Sequence, residues 1–378
     1  MNKSNPQVSL LMCVYNGETH LREAVESILN QTFYDFELVI VDDGSTDSSW
    51  QILSEYSAKD SRIVLIQNEV NLGLEKSLNK GLAATKGEYF ARQDADDVSL
   101  SNRLQLQVDF LDNHPEVGAL GTAVELINEQ GNTIGKNSLP TDRESLQSLL
   151  LFNNFMHHST LMVRNSLMQK LGGYDETMRY VEDYDLWWRL SCLSGLATLP
   201  NILLKRRVDD GPRISKLYRE KQLHNSFEIS WKAVCQSLGE DSFKLDKEVY
   251  ERFWWNLTRF IISKQDYQKA WSDKQGQNAL IQKEDIQQLQ PLWRLLATFP
   301  GASEVWGCRI QKLAYQLLRE KQTMEGFQLL GIAVARLKMP LQPSKIIAAL
   351  VKPYVPEPGQ QLWRVWKTRK KNADLHST

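Results

Sequence analysis

Over the first 130 residues, short apolar blocks alternate with amphipathic stretches. "QVSLLMCV" is a compact β-rich run, and "HLREAVESILNQ" after it sets Leu21, Ala24, Val25, Ile28 and Leu29 on one helical face. "FELVIVDDGSTD" is a buried-strand run that ends in a turn. The order then continues as helix ("SSWQILSEYS"), strand ("RIVLIQN"), helix ("LGLEKSLNKGLAAT"), strand ("GEYFARQD"), helix ("SNRLQLQVDFLDNHP") and strand ("VGALGTAVELI"). Near-continuously apolar strands separated by single helices predict an α/β fold with a parallel sheet covered on both faces. In such a sheet the ligand crevice forms at the carboxyl ends of the strands. Three polar motifs stand at those ends: "VYNGE", "VDDGSTD" and "QDADD".

Residues 131–210 are less regular, with the helix "RESLQSLLLF", the segment "NNFMHHSTLMVR", a helix beginning near Glu182 and a strand in "LATLPNILLKRRV". From about residue 215 the period is helical almost throughout. The expected division is a domain over 1–215 and an α-helical region over 216–378, with the boundary near "DDGPRIS".

The 378 residues carry a net charge of -1, so no global field draws in nucleic acid. Four scattered cysteines without a CxxC pair predict a reducing compartment, with neither disulfides nor a zinc site. No segment has the form of a signal peptide, and none reaches the roughly 18 apolar residues of a membrane span. The expected location is cytoplasmic, with attachment at most to the inner face of the plasma membrane.

Asp94, Asp96 and Asp97 crowd three carboxylates at one strand end. Such a group suits a divalent cation carrying a diphosphate, since Mg²⁺ and Mn²⁺ prefer hard oxygen ligands and Mg²⁺ typically uses one or two carboxylates plus substrate phosphates. The plain alternative is that Asp96 or Asp97 caps the following helix. In "VDDGSTD" the acids serve either a turn or a base-reading carboxylate at the strand tip. In "YVEDYD", Glu182, Asp183 and Asp185 either complement a helix dipole or supply a base for an acceptor hydroxyl.

Together these segments resemble the GT-A glycosyltransferases of family 2, over about residues 7–210 and in the expected order. The resemblance implies a nucleotide-diphospho-sugar transferase fold: a Rossmann-like mixed sheet flanked by helices. It implies an inverting transfer from a UDP- or dTDP-sugar to a glycan or lipid-linked acceptor, assisted by Mn²⁺ or Mg²⁺, in surface polysaccharide or glycolipid assembly. Position by position, the uracil-contacting acid falls on Asp43, and the D-x-D pair on Asp94 (near the ribose) and Asp96 (on the metal). The E-D pair falls on Glu182 and Asp183, with Asp183 the general base. Tyr15, Asn16 and Lys76 line the nucleotide pocket in the same reading, and Asp97 stands next to the metal acid.

The chain departs from the family where many relatives place a metal-binding His; in "LLKRRVDDG" that place is held by Asp209. Metal binding is then expected to rest on Asp96, the diphosphate and water, with Asp209 as a further candidate. Arg206 and Arg207 are either diphosphate partners or surface charges. His157 and His158 read as structural or as ligands, and Trp187–Trp188 as half core and half acceptor wall. In the tail, "QLWRVWKTRKK" sets Trp363 and Trp366 among Arg364, Lys367, Arg369, Lys370 and Lys371, which fits an anionic membrane surface or a solvated end equally. Three rivals stand beside the transferase. A nucleotidyltransferase would open with a Gly-rich basic loop, and a dinucleotide oxidoreductase with GxGxxG after the first strand; the sequence has neither. An inactive nucleotide-sugar-binding protein need not keep Asp94, Asp96 and Asp183 together.

Overall fold

The computed structural model describes residues 5–208, 217–258, 283–299, 308–319, 326, 328–330 and 332. Two compact units divide the chain, Met1–Ala233 and Val234–Thr378. The first unit therefore runs beyond the expected end at 215 and takes in the first part of helix α8 (Arg219–Leu238). That part is tied to the unit by side chains: Ser230 Oγ donates to Leu151 O at 2.6 Å, and Gln222 and Asn225 donate to the carbonyls of Tyr180 and Arg179.

In the first unit β1 (Val8–Val14), β2 (Phe36–Asp42), β3 (Ile63–Gln67) and β4 (Tyr89–Arg92) run parallel in the order β3-β2-β1-β4. Helices α1 (Leu21–Leu29), α2 (Ser49–Ser57) and α3 (Leu74–Leu82) make the crossovers. β1 and β2 are buried along nearly their whole length, as their unbroken apolar runs require of strands covered on both faces. Leu10, Met12, Leu38 and Ile40 pack with Leu21, Val25 and Ile28 of α1 in one core. On the opposite face α3 lies so close that a Cβ on Gly81 would stand 2.3 Å from Leu11 Cδ1.

Beyond β4 the sheet becomes mixed. β8 (Met162–Arg164) pairs antiparallel with β4, and β6 (Val117–Ile127) pairs antiparallel with β8. β9 (Gly195–Arg207) runs parallel to β6, and the two-residue β5 (Val98–Ser99) closes the order as an antiparallel partner of β9. β7 (Thr133–Asn137) hangs on β6. Helices α4 (Arg103–Asn113), α5 (Arg143–Leu150), α6 (Asn165–Leu171) and α7 (Glu182–Leu193) complete the unit. The mixed α/β sheet implied by the family resemblance is thus present, while the purely parallel sheet read from the pattern alone holds only for its first four strands.

The second unit is helical among its described residues. Phe253, Trp254 and Trp293 are buried, and Arg252 grips Asp285 through two bonds of 2.9 and 2.6 Å. The aromatic stretch "FWW" is core, as its helical spacing predicts. The basic, Trp-containing tail lies outside the described residues. Among the described residues no helix is long and apolar enough to cross a membrane.

Candidate active site

The loops after β1, β2 and β4 stand at the carboxyl ends of the parallel strands, and hydrogen bonds lock the first two together. Asn16, in the left-handed region at φ 51°, accepts the Thr46 N–H on its Oδ1 at 2.8 Å, and its own N–H donates to Ser45 Oγ. Asp47 accepts the Glu18 N–H, and the Glu18 carboxylate accepts the Ser48 N–H. Asn16 therefore ties two strand-end loops together, and Tyr15 beside it is half exposed.

Asp43 is buried and shapes the next loop. Its Oδ1 accepts from Asn68 Nδ2 at 2.7 Å and from the Leu72 N–H at 2.9 Å, and its Oδ2 accepts the Gly73 N–H at 3.0 Å. A carboxylate accepts about four hydrogen bonds, so one position is left over for a donor from outside. Lys76 is exposed on α3; one turn on, Lys80 reaches this network, donating to Asn68 Oδ1 at 2.6 Å.

The acids after β4 take three different places. Asp94 pairs with the buried Arg92 at 2.6 Å, accepts from Ser159 Oγ, and keeps its side chain 41% exposed. Burial works against its charge, but the Arg92 charge and the Ser159 hydroxyl help to outweigh it and hold the carboxyl well below the usual range. Asp97 is buried and accepts the Arg207 N–H at 2.9 Å. Burial first, then the charges of Asp94 and Asp96, push it up to about 7. Asp96 lies between them, partly exposed, its carbonyl taking Arg207 Nε. Neither Asp96 nor Asp97 caps the following helix, because β5 intervenes and α4 starts only at Arg103 behind Asn102.

Arg207 is a strut rather than an open anion site. It is 1% exposed, and its guanidinium donates to the carbonyls of Asp96, Asn128 and Glu129 and to the Glu23 carboxylate. The diphosphate-partner reading of Arg207 is corrected on this ground: these bonds use its donors. Arg206, its partly exposed neighbour, is the arginine whose charge reaches Asp94, Asp183 and His157. Asp209 lies outside the described residues.

Glu182 and Asp183 open α7, as the sequence predicts. Glu182 is buried, and burial together with the Asp183 charge raises it well above the usual carboxyl range. Asp183 is pushed up to about 6, chiefly by burial and also by the Asp94 charge, with Arg206 opposing. The charge of Asp94, at the strand ends, thus reaches Asp183 at the start of α7. His158 sets a ring nitrogen 2.8 Å from the Tyr174 hydroxyl, and burial, with Arg92 adding to it, pushes it down to about 3. It stands as a neutral structural partner. Trp187 and Trp188 are both buried; they belong to the core, and the acceptor-wall reading is corrected.

Two residues of the site escaped the sequence reading. Arg92 has the appearance of an ordinary strand residue, yet it is the buried countercharge of Asp94, with its Nε and Nη1 lacking any hydrogen-bond partner. Asn154 donates to Asp183 Oδ2 at 2.7 Å. Among the described residues no three His, Cys, Asp or Glu side chains converge as a ready-made metal cage.

Known proteins match this arrangement. A profile described as Glycosyl transferase family 2 fits residues 9–172. A Haemophilus influenzae protein called an uncharacterized glycosyltransferase is 35% identical over 246 residues, which cover 62% of this chain and 75% of that protein. The amylovoran biosynthesis glycosyltransferase AmsE of Erwinia amylovora is 33% identical over 203 residues, 53% of this chain and 76% of AmsE. S. aureus TarS in complex with UDP-GlcNAc superposes with a TM-score of 0.54 at 19% identity, over 89% of this chain and 93% of that one. Of a longer TarS structure, matched at a TM-score of 0.52, this chain spans 55%. At such identity the TarS likeness speaks for the fold. The profile lies over the strands that end at the cleft, and a relative a third identical is matched across three quarters of its length; the chain belongs to glycosyl transferase family 2.

Proposed function

We propose that the chain is an inverting glycosyltransferase that moves a sugar from a UDP- or dTDP-sugar to a hydroxyl of a glycan or lipid-linked acceptor in surface polysaccharide assembly. The observation that carries this reading is the Asp183 carboxyl, raised to about 6 at the start of α7, within the field of Asp94 at the strand ends. A base with a pKa near the working pH is ionised there and still basic enough to accept a proton. In support, AmsE is named for amylovoran biosynthesis and TarS is seen with UDP-GlcNAc.

In the reaction Asp183 takes the proton of the acceptor hydroxyl as its oxygen bonds to the anomeric carbon. The bond from that carbon to the diphosphate oxygen breaks, its electron pair leaves with the nucleoside diphosphate, and the configuration inverts. Asp43 and the loop it holds read the base through the one acceptor position left on the carboxylate. Asp94, kept ionised by Arg92, accepts from the ribose, and Arg206 faces the diphosphate. The hard oxygen of partly exposed Asp96 fits a Mn²⁺ or Mg²⁺ shared with the diphosphate, and such an ion, when bound, supplies charge neutralisation at the leaving group.

The test is a thermal-shift screen of UDP- and dTDP-sugars with and without Mn²⁺, followed by UDP or dTDP release with the donors that bind. Binding with turnover that Asp183→Asn abolishes is expected. Binding with no release by the wild type would point to an inactive nucleotide-sugar-binding protein, and the absence of any donor response would overturn the proposal.

A further inference from the structure

We infer that Asn154 is the positioning residue of the base: its side-chain amide fixes the plane of the Asp183 carboxylate from outside α7. The inference rests on the reading of Asp183 as the group that takes the acceptor proton. Asn154 Nδ2 donates to Asp183 Oδ2 at 2.7 Å, while the other oxygen, Oδ1, accepts the Tyr184 N–H at 2.7 Å. One donor on each oxygen pins the carboxylate against rotation.

The amide cannot present its other end. Asn154 Oδ1 accepts the Met156 N–H at 2.9 Å, a place only an acceptor can fill, so the NH₂ group must face Asp183. The Asn154 N–H in turn donates to Asn153 Oδ1. The segment leading to it is anchored from two helices. Tyr184 OH of α7 donates to Leu150 O at 2.7 Å, and Ser230 of α8 donates to Leu151 O. Asn154 thus belongs to a rigid connection between the end of α5 and the base.

A neutral donor suits this place. The charged groups acting on Asp183 include Asp94 after β4 and Arg206 on β9, and Asp183 in turn raises Glu182 beside it in the same helix turn. A lysine or arginine in place of Asn154 would hold the carboxylate ionised and make it a weak base. An apolar residue would let it turn. An amide orients it and leaves it basic.

The experiment uses the full chain with ¹³C-labelled aspartate carboxyls, the Asp183 signal being identified by its loss in Asp183→Asn. Asn154→Ala and Asn154→Ser are compared with wild type; the alanine withdraws the donor from Asp183 outright, and the serine keeps an oxygen for the Met156 N–H while putting a shorter hydroxyl in place of the amide. Loss of a hydrogen bond to the charged form should raise the Asp183 titration by on the order of one pH unit in both variants. The acid limb of UDP release, measured with UDP-GlcNAc, UDP-glucose and UDP-galactose, should move with it. At saturating donor, kcat should fall about tenfold or more while the donor KM stays unchanged. An Asp183 titration in folded Asn154→Ala within about 0.2 units of wild type would overturn the inference, since loss of the bond should move it further. If Asp183→Asn released UDP like the wild type, the base reading would fail instead, and the titration would still report the hold of Asn154 on Asp183.

Discussion

Arg206 and Arg207 are adjacent in sequence and opposite in consequence, and replacing each by alanine separates strut from site. Arg207→Ala removes the donors of three carbonyls, Asp96, Asn128 and Glu129, along with the link to Glu23. The Glu23 side chain is 54% exposed, so its lost ion pair counts for little. The lost hydrogen bonds and the emptied volume cost more. Three hydrogen bonds at about 0.5–1.5 kcal/mol each, together with the cavity left by a buried side chain, come to about 3–5 kcal/mol in all. For a unit of this size, 1 kcal/mol moves the melting point by about 2–4 °C, so Arg207→Ala should melt about 6–20 °C lower. Arg206→Ala removes a partly exposed side chain and should stay within about 0.5 kcal/mol of wild type. It should instead raise the donor KM about tenfold, the usual scale for one lost charge-assisted contact to phosphate. Tryptophan fluorescence melting and UDP release on the same preparations read both effects. If Arg207→Ala melted like wild type and lost more donor affinity than Arg206→Ala, the assignment of the two arginines would be reversed.

Asp183→Asn should lower kcat by about 10² to 10⁴ and leave donor binding in place. In the wild type, kcat/KM should climb with pH through an acid limb at about 6 as Asp183 ionises; a flat profile between pH 5 and 8 would count against a carboxylate base. Asp96→Asn should abolish the Mn²⁺-dependent part of the thermal shift given by a UDP-sugar while leaving the melting point of the protein alone close to wild type. Gly44→Ala should destabilise by about 2 kcal/mol or more, because the residue sits at φ 71° and its new Cβ would meet the Val70 carbonyl carbon at 2.6 Å; urea unfolding measures it.

The parallel half of the fold was readable because each strand is apolar on both faces and each helix carries one clean stripe. The strand-end motifs could be placed with it, since topology alone sends Asn16, Asp43 and Asp94 to one edge. Legibility stopped where local irregularity decides direction. On β9 the parity of side chains is broken by shifts in its pairing with β6, between Thr122 and Ala123 and again between Ala123 and Val124. Counting alternate residues could not tell which of Arg206 and Arg207 turns inward. The two-residue β5 has no hydrophobic signature of its own, so the acids before it looked able to cap α4. Asn154 lies in a connection without period, and its role depends on one contact 29 positions away.

The crowding of acids at the strand ends has an electrostatic solution that differs from residue to residue. Asp94 keeps its charge because a guanidinium is buried beneath it, and Arg92 can stay buried because Asp94 offers it a carboxylate at 2.6 Å. Asp97 gives up part of its charge, sitting at about 7 where a proton offsets the repulsion of Asp94 and Asp96. Glu182 does the same beside Asp183. These acids therefore carry less negative charge near neutral pH than their number suggests: Asp94 keeps its charge, and Asp183 gains its own above about 6. Arg206 is the partly exposed cation whose charge reaches Asp94 and Asp183. A ligand that brought only negative charge would meet net repulsion from these acids. In the proposed reaction a diphosphate that arrived with a divalent cation would find Arg206 for its oxygens and Asp96 for its metal. On the proposed reading a metal-carried donor is what such a site would be charged to receive, and the raised carboxyl of Asp183 is a group able to change its proton count as the acceptor reacts.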